Sequence, residues 1–136
     1  MPNFSAASLS KLATCHPELQ ILMHEVIKHR DCTIIEGHRG EAAQEAAYAA
    51  GNSKLHYPLG NHNASPSNAV DVLAYPIEWN NNPRNIEFAG FVLGVAKMLY
   101  VQGKMSHHIR WGGVWGTDAS KPLAHFADLP HFEIIP

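Results

Sequence analysis

Apolar residues recur along the chain at helical spacing in three places and as short runs typical of strands in four. Pro17 suits the first turn of a helix, so the pattern predicts a short lead-in followed by a helix over 17–29. The apolar stripe of this first region advances in steps of three and four residues, through Leu12, Cys15, Leu19, Leu22 and Val26.

Two further helices are predicted. Residues 41–50 are alanine-rich with acid in the first turn, and Gly51 lies where a helix commonly ends. A third helix is predicted to begin at about Pro83, with Asn82 before it, and to end before Gly103. Its apolar residues occupy two adjoining faces, which indicates a helix buried on much of its circumference.

Short apolar runs, the first of them β-branched, predict four strands separated by turns and by a long loop over 52–66. Helices and strands follow one another in mixed order, which predicts an α+β fold. The predicted strands cover 31–36, 69–73, 109–111 and 131–135.

Composition narrows the class of protein. The chain has 136 residues, 46% apolar and 16% charged, which predicts a single globular domain over 1–136. The net charge of −2 provides no basic excess for nucleic acid or an anionic membrane. The ten histidines equal all lysines and arginines together, which raises the question of a metal or proton-transfer site.

No apolar run approaches the ~20 residues of a membrane span, and residues 1–11 lack the pattern of a signal peptide. Cys15 and Cys32 form neither a CxxC pair nor a disulfide framework. We therefore expect a protein made and kept in a reducing cytoplasm, without stable membrane association.

Two polar residues lie on strands that should otherwise be apolar, Asp71 and His131. A carboxylate inside a buried strand is costly unless it is paired or binds a metal. His62 precedes Asp71 by nine residues, across a turn that could fold it back beside the strand. Two histidines and one aspartate would leave the fourth position of a catalytic zinc open. A core or edge histidine and an edge aspartate are the alternatives.

Two carboxylates near His131 could support such a site. Asp128, three residues earlier, could accept a proton from a water molecule during hydrolysis. Glu133, two residues later, faces the same side of a strand and could orient a ligand from behind.

Several segments, taken in order, resemble one enzyme family. They are Glu-Gly-His-Arg at 36–39, Gly-Asn-Ser-Lys at 51–54, His-Asn-Ala-Ser-Pro-Ser-Asn-Ala-Val-Asp at 62–71, Trp-Gly-Gly-Val-Trp at 111–115 and Asp-Leu-Pro-His-Phe-Glu at 128–133. Over about 12–135 the chain resembles the zinc D-Ala-D-Ala carboxypeptidase and dipeptidase superfamily, which shares the hedgehog fold. It is most similar to phage endolysins that are L-alanyl-D-glutamate peptidases.

The resemblance implies a small antiparallel sheet flanked by about three helices, with one catalytic zinc ion bound by His62, Asp71 and His131. It implies that Asp128 is the catalytic acid and base. Arg39 would bind substrate or stabilise charge on the scissile carbonyl, whereas from the residues alone an ion pair with Glu36 or Glu41 is the alternative.

Trp111 and Trp115 are candidate substrate-binding residues, although either could belong to the core. The spacing from His62 to Asp71 is two residues longer than in the commonest family motif, which leaves His56 as an alternative ligand. Val114 replaces the acid of the family's Trp-Gly-Gly-Asp-Trp segment, so the role of that acid is lost or moved to Asp118.

The leading hypothesis is a monomeric peptidoglycan peptidase that cleaves the L-Ala–D-Glu bond of the stem peptide. By the resemblance it waits in the host cytoplasm until a holin opens the membrane. D-Ala-D-Ala carboxypeptidase activity and a non-catalytic, hedgehog-like zinc-binding domain are the alternatives.

Overall fold

The computed structural model describes residues 2–136, so Met1, within the predicted domain, lies outside the described residues. Over this range the chain forms four α-helices, a short 3₁₀ helix and four strands. Their bounds are α1 Ala6–Leu12, α2 Pro17–Ile27, β1 Cys32–Glu36, α3 Glu41–Ala49, the 3₁₀ helix Asn61–Asn63, β2 Ala69–Ala74, α4 Asn82–Val101, β3 Ile109–Trp111 and β4 His131–Ile134.

The four strands form one antiparallel sheet in the order β1-β2-β4-β3. β2 and β4 are the central strands, and their register pairs Asp71 directly with His131. Side chains paired across antiparallel strands lie on the same face with their Cβ atoms close together. The register therefore brings the two polar strand residues of the sequence side by side, and the predicted α+β class with a small antiparallel sheet is confirmed.

The core lies between the sheet and the two longest helices. α2 and α4 contact each other, and α4 also contacts β2 and β3. The predicted stripe of α2 is buried, and it packs with aromatic and branched side chains from α4 and the central strands. Buried core residues include Leu19, Leu22, Val26, Val70, Val72, Phe88, Val92, Trp111 and Phe132.

Three local features differ from the sequence prediction. α1 occupies what was predicted as a lead-in, because Ser5 caps it by accepting a hydrogen bond from the amide of Ser8 at 3.1 Å. α2 ends at Ile27, two residues before the predicted end. Asn81, rather than Asn82, caps α4 by accepting from the amide of Arg84. Within residues 2–136 no helix has the length and apolarity to cross a membrane.

Candidate metal centre and cleft

Three buried side chains from separate elements meet at the open end of the central strands. Asp71 lies on β2, His131 begins β4, and His62 lies in the 3₁₀ helix. The 3₁₀ helix is held against the segment after β1, since the amide of Arg39 donates to the His62 carbonyl at 2.8 Å. A second bond runs from the Asn63 side chain to the Arg39 carbonyl at 2.9 Å. These two hydrogen bonds therefore fix the position of His62.

The three side chains form a nearly equilateral triangle of donor atoms. Nε2 of His62 lies 3.1 Å from Oδ1 of Asp71 and 3.2 Å from Nδ1 of His131. Nδ1 of His131 lies 3.2 Å from the same Asp71 oxygen. A tetrahedral ion with bonds of about 2.0–2.1 Å keeps its ligand atoms about 3.3 Å apart, close to these separations.

Hydrogen bonds behind both imidazoles decide which nitrogen faces the triangle. Nδ1 of His62 lies 2.8 Å from the carbonyl oxygen of Gly37, which can only accept, so this nitrogen carries the proton. Nε2 of His131 donates to Oε1 of Glu133 at 2.6 Å. The remaining nitrogen of each ring therefore directs a lone pair at the other ring and at Asp71.

Such a triangle of lone pairs and a carboxylate requires a positive charge at its centre, either a proton or a metal ion. Two histidines and one carboxylate are the donor set of catalytic zinc sites, in which a fourth position stays open. The residues therefore fit a divalent metal ion, which His62, Asp71 and His131 could hold.

The pKa values of His131 and Asp71 also reflect this need for a positive charge when no metal is bound. Burial alone would lower the pKa of His131, but hydrogen bonds with Asp71 and Glu133 raise it to about 9. Burial alone would raise the pKa of Asp71, but bonds from His131 and His62 hold it well below its usual range. In the absence of metal, a proton on His131 supplies the charge.

Glu133 is itself held by a residue that sequence reasoning missed. Arg110 on β3 pairs with Glu133 across the sheet and donates to Oε2 from both Nε and Nη2. Burial would raise the pKa of Glu133, but the bonds from His131 and Arg110 lower it to about 2. The cross-strand partner of Glu133 could have revealed Arg110 only once the strand register was known.

Asp128 lies at the edge of the triangle. Its Oδ2 is 3.9 Å from Nδ1 of His131, and its side chain is 29% exposed. Burial, followed by the negative charge of Asp71, raises the pKa of Asp128 to about 6. Gly112 allows this approach, because a Cβ there would lie 2.5 Å from the Asp128 carbonyl oxygen and 3.0 Å from the His131 Cβ.

Arg39 forms the ion pair expected from the sequence and also reaches the centre. One guanidinium nitrogen donates to Glu36 at 3.0 Å and lies 3.9 Å from Oδ2 of Asp71. The other donates to the side-chain oxygen of Gln44 at 3.1 Å. Its side chain is only 12% exposed. Arg39 therefore forms the ion pair with Glu36, but as a largely buried side chain beside Asp71 rather than on the surface.

The two candidate tryptophans lie in different environments. Trp111 is fully buried, and its indole donates to the carbonyl of Leu129 at 2.7 Å. This corrects the expectation that Trp111 binds substrate, because its ring is part of the core. Trp115 is 37% exposed, its ring centroid lies 5.4 Å from that of His131, and its φ of 54° is in the left-handed region.

The alternative residues lie away from the triangle. His56 is exposed and bonds to Glu45 at 2.6 Å. Val114 packs against the core, and the carboxylate of the exposed Asp118 bonds only to Ser120 among the described residues. Asp118 is therefore not among the side chains that meet at the triangle.

A second group with metal-binding side chains comprises His16, Glu18 and His107. Its polar atoms already have structural partners: Nδ1 of His16 caps α2 by accepting from the Glu18 amide at 3.0 Å. The Glu18 carboxylate accepts from the amides of Ser106 and His107, the Ser106 hydroxyl and Nδ1 of His107. We interpret this group as a structural contact that joins the turn before β3 to the start of α2.

The triangle opens into two adjoining cavities. Both are lined by Arg39, Asn52, Phe126 and Asp128. The larger, of about 470 Å³, continues past Leu73 and the exposed Trp79. The smaller, of about 330 Å³, continues past Lys54, Arg110, Trp115 and His131. An extended chain could therefore pass the centre with a segment on each side of it.

Comparisons with known proteins agree with this geometry. The family described as phage L-alanyl-D-glutamate peptidase matches residues 2–135. The structure is similar to that of Serratia marcescens L-Ala D-Glu endopeptidase ChiX, with a TM-score of 0.73 and 24% identity. That similarity covers 98% of this chain and 90% of the other, and it establishes the fold. Curated proteins include no significant match.

Proposed function

The chain belongs to the phage L-alanyl-D-glutamate peptidase family and is a peptidoglycan peptidase, and we propose that one zinc ion held by His62, Asp71 and His131 serves its reaction. The observation that carries this proposal is the triangle of donor atoms, with edges of 3.1–3.2 Å and both imidazoles oriented from behind. The three donor atoms lie close enough together for one ion to be bound by all of them.

When bound, zinc supplies Lewis-acid chemistry, because it lowers the pKa of a water molecule toward about 7 and polarises a carbonyl. Asp128 accepts the proton of the attacking water and returns it to the amine that leaves. Its raised pKa, about 6, keeps both protonation states accessible near neutral pH. Arg39 directs positive charge toward the carbonyl oxygen as negative charge develops there.

Glu133 and Arg110 act on the side of His131 that faces away from the other two proposed metal ligands. Glu133 keeps the proton of His131 on Nε2, and Arg110 keeps Glu133 ionised. Trp115 forms a wall beside His131 and limits how substrate enters the smaller cavity. We propose these three as positioning residues, distinct from the groups that contact the reacting atoms.

The scissile bond is proposed to be L-Ala–D-Glu, within the stem peptide. A cavity on each side of Asp128 favours an endopeptidase over a carboxypeptidase, which needs room for only one terminal residue beyond the bond. The position and raised pKa of Asp128 favour catalysis over a zinc-binding domain without turnover. By family, we propose a monomer that is made in the host cytoplasm and reaches the wall after release.

The test is digestion of purified peptidoglycan by the zinc-loaded protein, with and without a chelator, followed by mass spectrometry of the new termini. We expect new N-terminal D-Glu, lost on chelation and restored by zinc. Release of free D-Ala would identify a carboxypeptidase instead. Intact peptidoglycan after incubation with fully zinc-loaded protein would indicate a non-catalytic domain.

A further inference from the structure

Three lysine and arginine side chains line the smaller cavity, and two of them are already paired with carboxylates. Arg39 is paired with Glu36 at 3.0 Å and lies near Asp71. Arg110 is paired with Glu133. Lys54 is different, since it forms no ion pair and no side-chain hydrogen bond with any residue in the described range 2–136. Its charge is therefore available to a ligand in this cavity.

The lysine is held in place without being neutralised. Its Nζ lies 4.9 Å from the ring centroid of Phe126, a residue that lines both cavities. The buried side chain of Gln44 donates to Ser53 at 2.9 Å and to the carbonyl of Leu55 at 2.7 Å. With the amide of Ser53 donating to the Ala47 carbonyl at 3.2 Å, the segment is held on both sides of Lys54, and the aromatic ring orients the ammonium group of this exposed side chain.

The larger cavity has no such free cation among the described residues. Its one arginine is Arg39, which is paired, and among the described residues no lysine lines it. Its lining combines the side chains of Leu73, Leu129 and Trp79 with the carboxylates of Glu36, Asp71 and Asp128. The two sides of the centre therefore differ by one uncompensated positive charge.

We propose that Lys54 forms a carboxylate subsite that binds the free carboxylate of the D-glutamate residue, and so places the leaving half of the substrate in the smaller cavity. This inference rests on the proposed function, because a bond between L-Ala and D-Glu gives the negative charge to the leaving side. The neutral half, which ends in L-Ala, occupies the larger cavity beside Trp79.

The experiment uses two stem peptides that differ only at this group, a free carboxylate in one and a primary amide in the other. The zinc-loaded protein is compared with Lys54→Ala and with Lys97→Ala. Lys97 is a matched control, since its Nζ also lies over an aromatic ring, that of Tyr100 at 5.7 Å, outside both cavities of the cleft.

We expect Lys54→Ala to raise KM for the acid peptide about threefold to fivefold and to leave kcat within about twofold, as for a partly exposed ion pair. KM for the amide peptide should not change, and Lys97→Ala should behave as the parent protein. Lys54→Glu should raise KM for the acid peptide about tenfold or more, since it places like charges together. Added salt should diminish the difference between the two peptides.

Equal loss on both peptides would overturn the inference, since Lys54 would then act only through packing on Phe126. Equal KM values for the two peptides with the parent protein would also overturn it. Binding of both peptides to the Asp128→Asn protein, measured by calorimetry, gives a readout that does not need cleavage. If neither peptide is cut, the proposed function fails. The subsite is tested separately by binding to the Asp128→Asn protein. It is supported if Lys54→Ala in that background weakens the binding of the acid peptide only, and overturned otherwise.

Discussion

Glu133 meets His131 at 2.6 Å on the side of the imidazole opposite Asp71, so one carboxylate faces each nitrogen of the ring. Arg110 contacts the second oxygen of Glu133 and keeps the first oriented toward His131. Three residues on two adjacent strands, β3 and β4, thereby determine which nitrogen of His131 is available to a metal ion.

Glu133→Gln is expected to weaken zinc binding by about tenfold to 100-fold while the protein remains folded. An amide can accept from His131 with its oxygen only by turning its NH₂ group toward Arg110, so one of the two bonds is lost. The measurement is competition with a chromophoric chelator, accompanied by circular dichroism.

Glu45→Gln is the matched control, because Glu45 also bonds a histidine, His56, at 2.6 Å, but on the exposed surface. It should bind zinc as the parent does. Unchanged zinc affinity in Glu133→Gln would contradict the orienting role, and weakened affinity in Glu45→Gln would indicate that His56 is a ligand after all.

Asp128→Asn is expected to retain zinc and to lose about 10²–10⁴-fold in kcat, the usual contribution of a general acid or base. The amide has nearly the same size, but it cannot accept a proton near neutral pH. Activity is measured on peptidoglycan, and metal content by elemental analysis. Asp118→Asn should leave both unchanged, and an active Asp128→Asn protein would remove Asp128 from the mechanism.

Zinc binding is expected to release protons. The pKa of His131 in the metal-free protein is raised to about 9, so the ring is protonated below that pH and the ion must displace this proton. At about pH 6.5, where water bound to zinc is still mostly protonated, at least one proton should be released per ion. Apparent affinity should therefore rise with pH and level off above about 9.

Calorimetry in buffers of different ionisation enthalpy measures this release directly. Binding with no proton release at that pH would mean that His131 is neutral in the metal-free site. The charge within the triangle would then need another source.

Glu18→Gln is expected to lower the free energy of unfolding near neutral pH by about 1–2 kcal/mol, since hydrogen bonds to a charged group are lost. Burial alone would raise the pKa of Glu18, but bonds from Ser106 and His107 lower it from 4.5 to about 2. A carboxylate with a lowered folded pKa stabilises above its unfolded pKa, and that contribution is lost as pH falls toward the folded pKa.

The difference between parent and variant should therefore be full above about pH 5 and should shrink toward pH 2. Urea unfolding at several pH values measures it. Glu25→Gln, which removes the exposed pairs of this α2 residue with Lys28 and His29, should change stability little. A pH-independent difference for Glu18→Gln would show that its charge does not hold the turn before β3.

Much of the fold could be predicted from periodicity because the long elements bury regular stripes. α2 and α4 follow their apolar patterns, and β3 has its predicted bounds. α1 was not predicted, since its seven residues offer few apolar positions, and its buried Ser8 instead accepts a hydrogen bond from the Ile34 amide at 3.1 Å. Short helices depend on such tertiary contacts more than on propensity.

The candidate site could be predicted only for residues whose spacing in the sequence determines their relative position in the structure. Asp71 and His131 were identified as polar residues within strands, and the alternation of strand side chains placed Glu133 behind His131. Arg110 and Lys54 could not be identified, because their neighbours Glu133 and Phe126 are distant in sequence and meet them only through register and loop packing. For the same reason the sequence could not separate Trp111 from Trp115.

Asp71 and His131 are 60 residues apart, and β4, the last strand in the chain, inserts between β2 and β3. Pairing over such a separation forms slowly compared with local contacts. During synthesis, a ribosome-bound chain that lacks residues 131–134 can present His62 and Asp71 but not the third ligand or its orienting carboxylate. A chain that ends before residue 131 therefore lacks one ligand of the proposed metal centre together with the carboxylate that orients it.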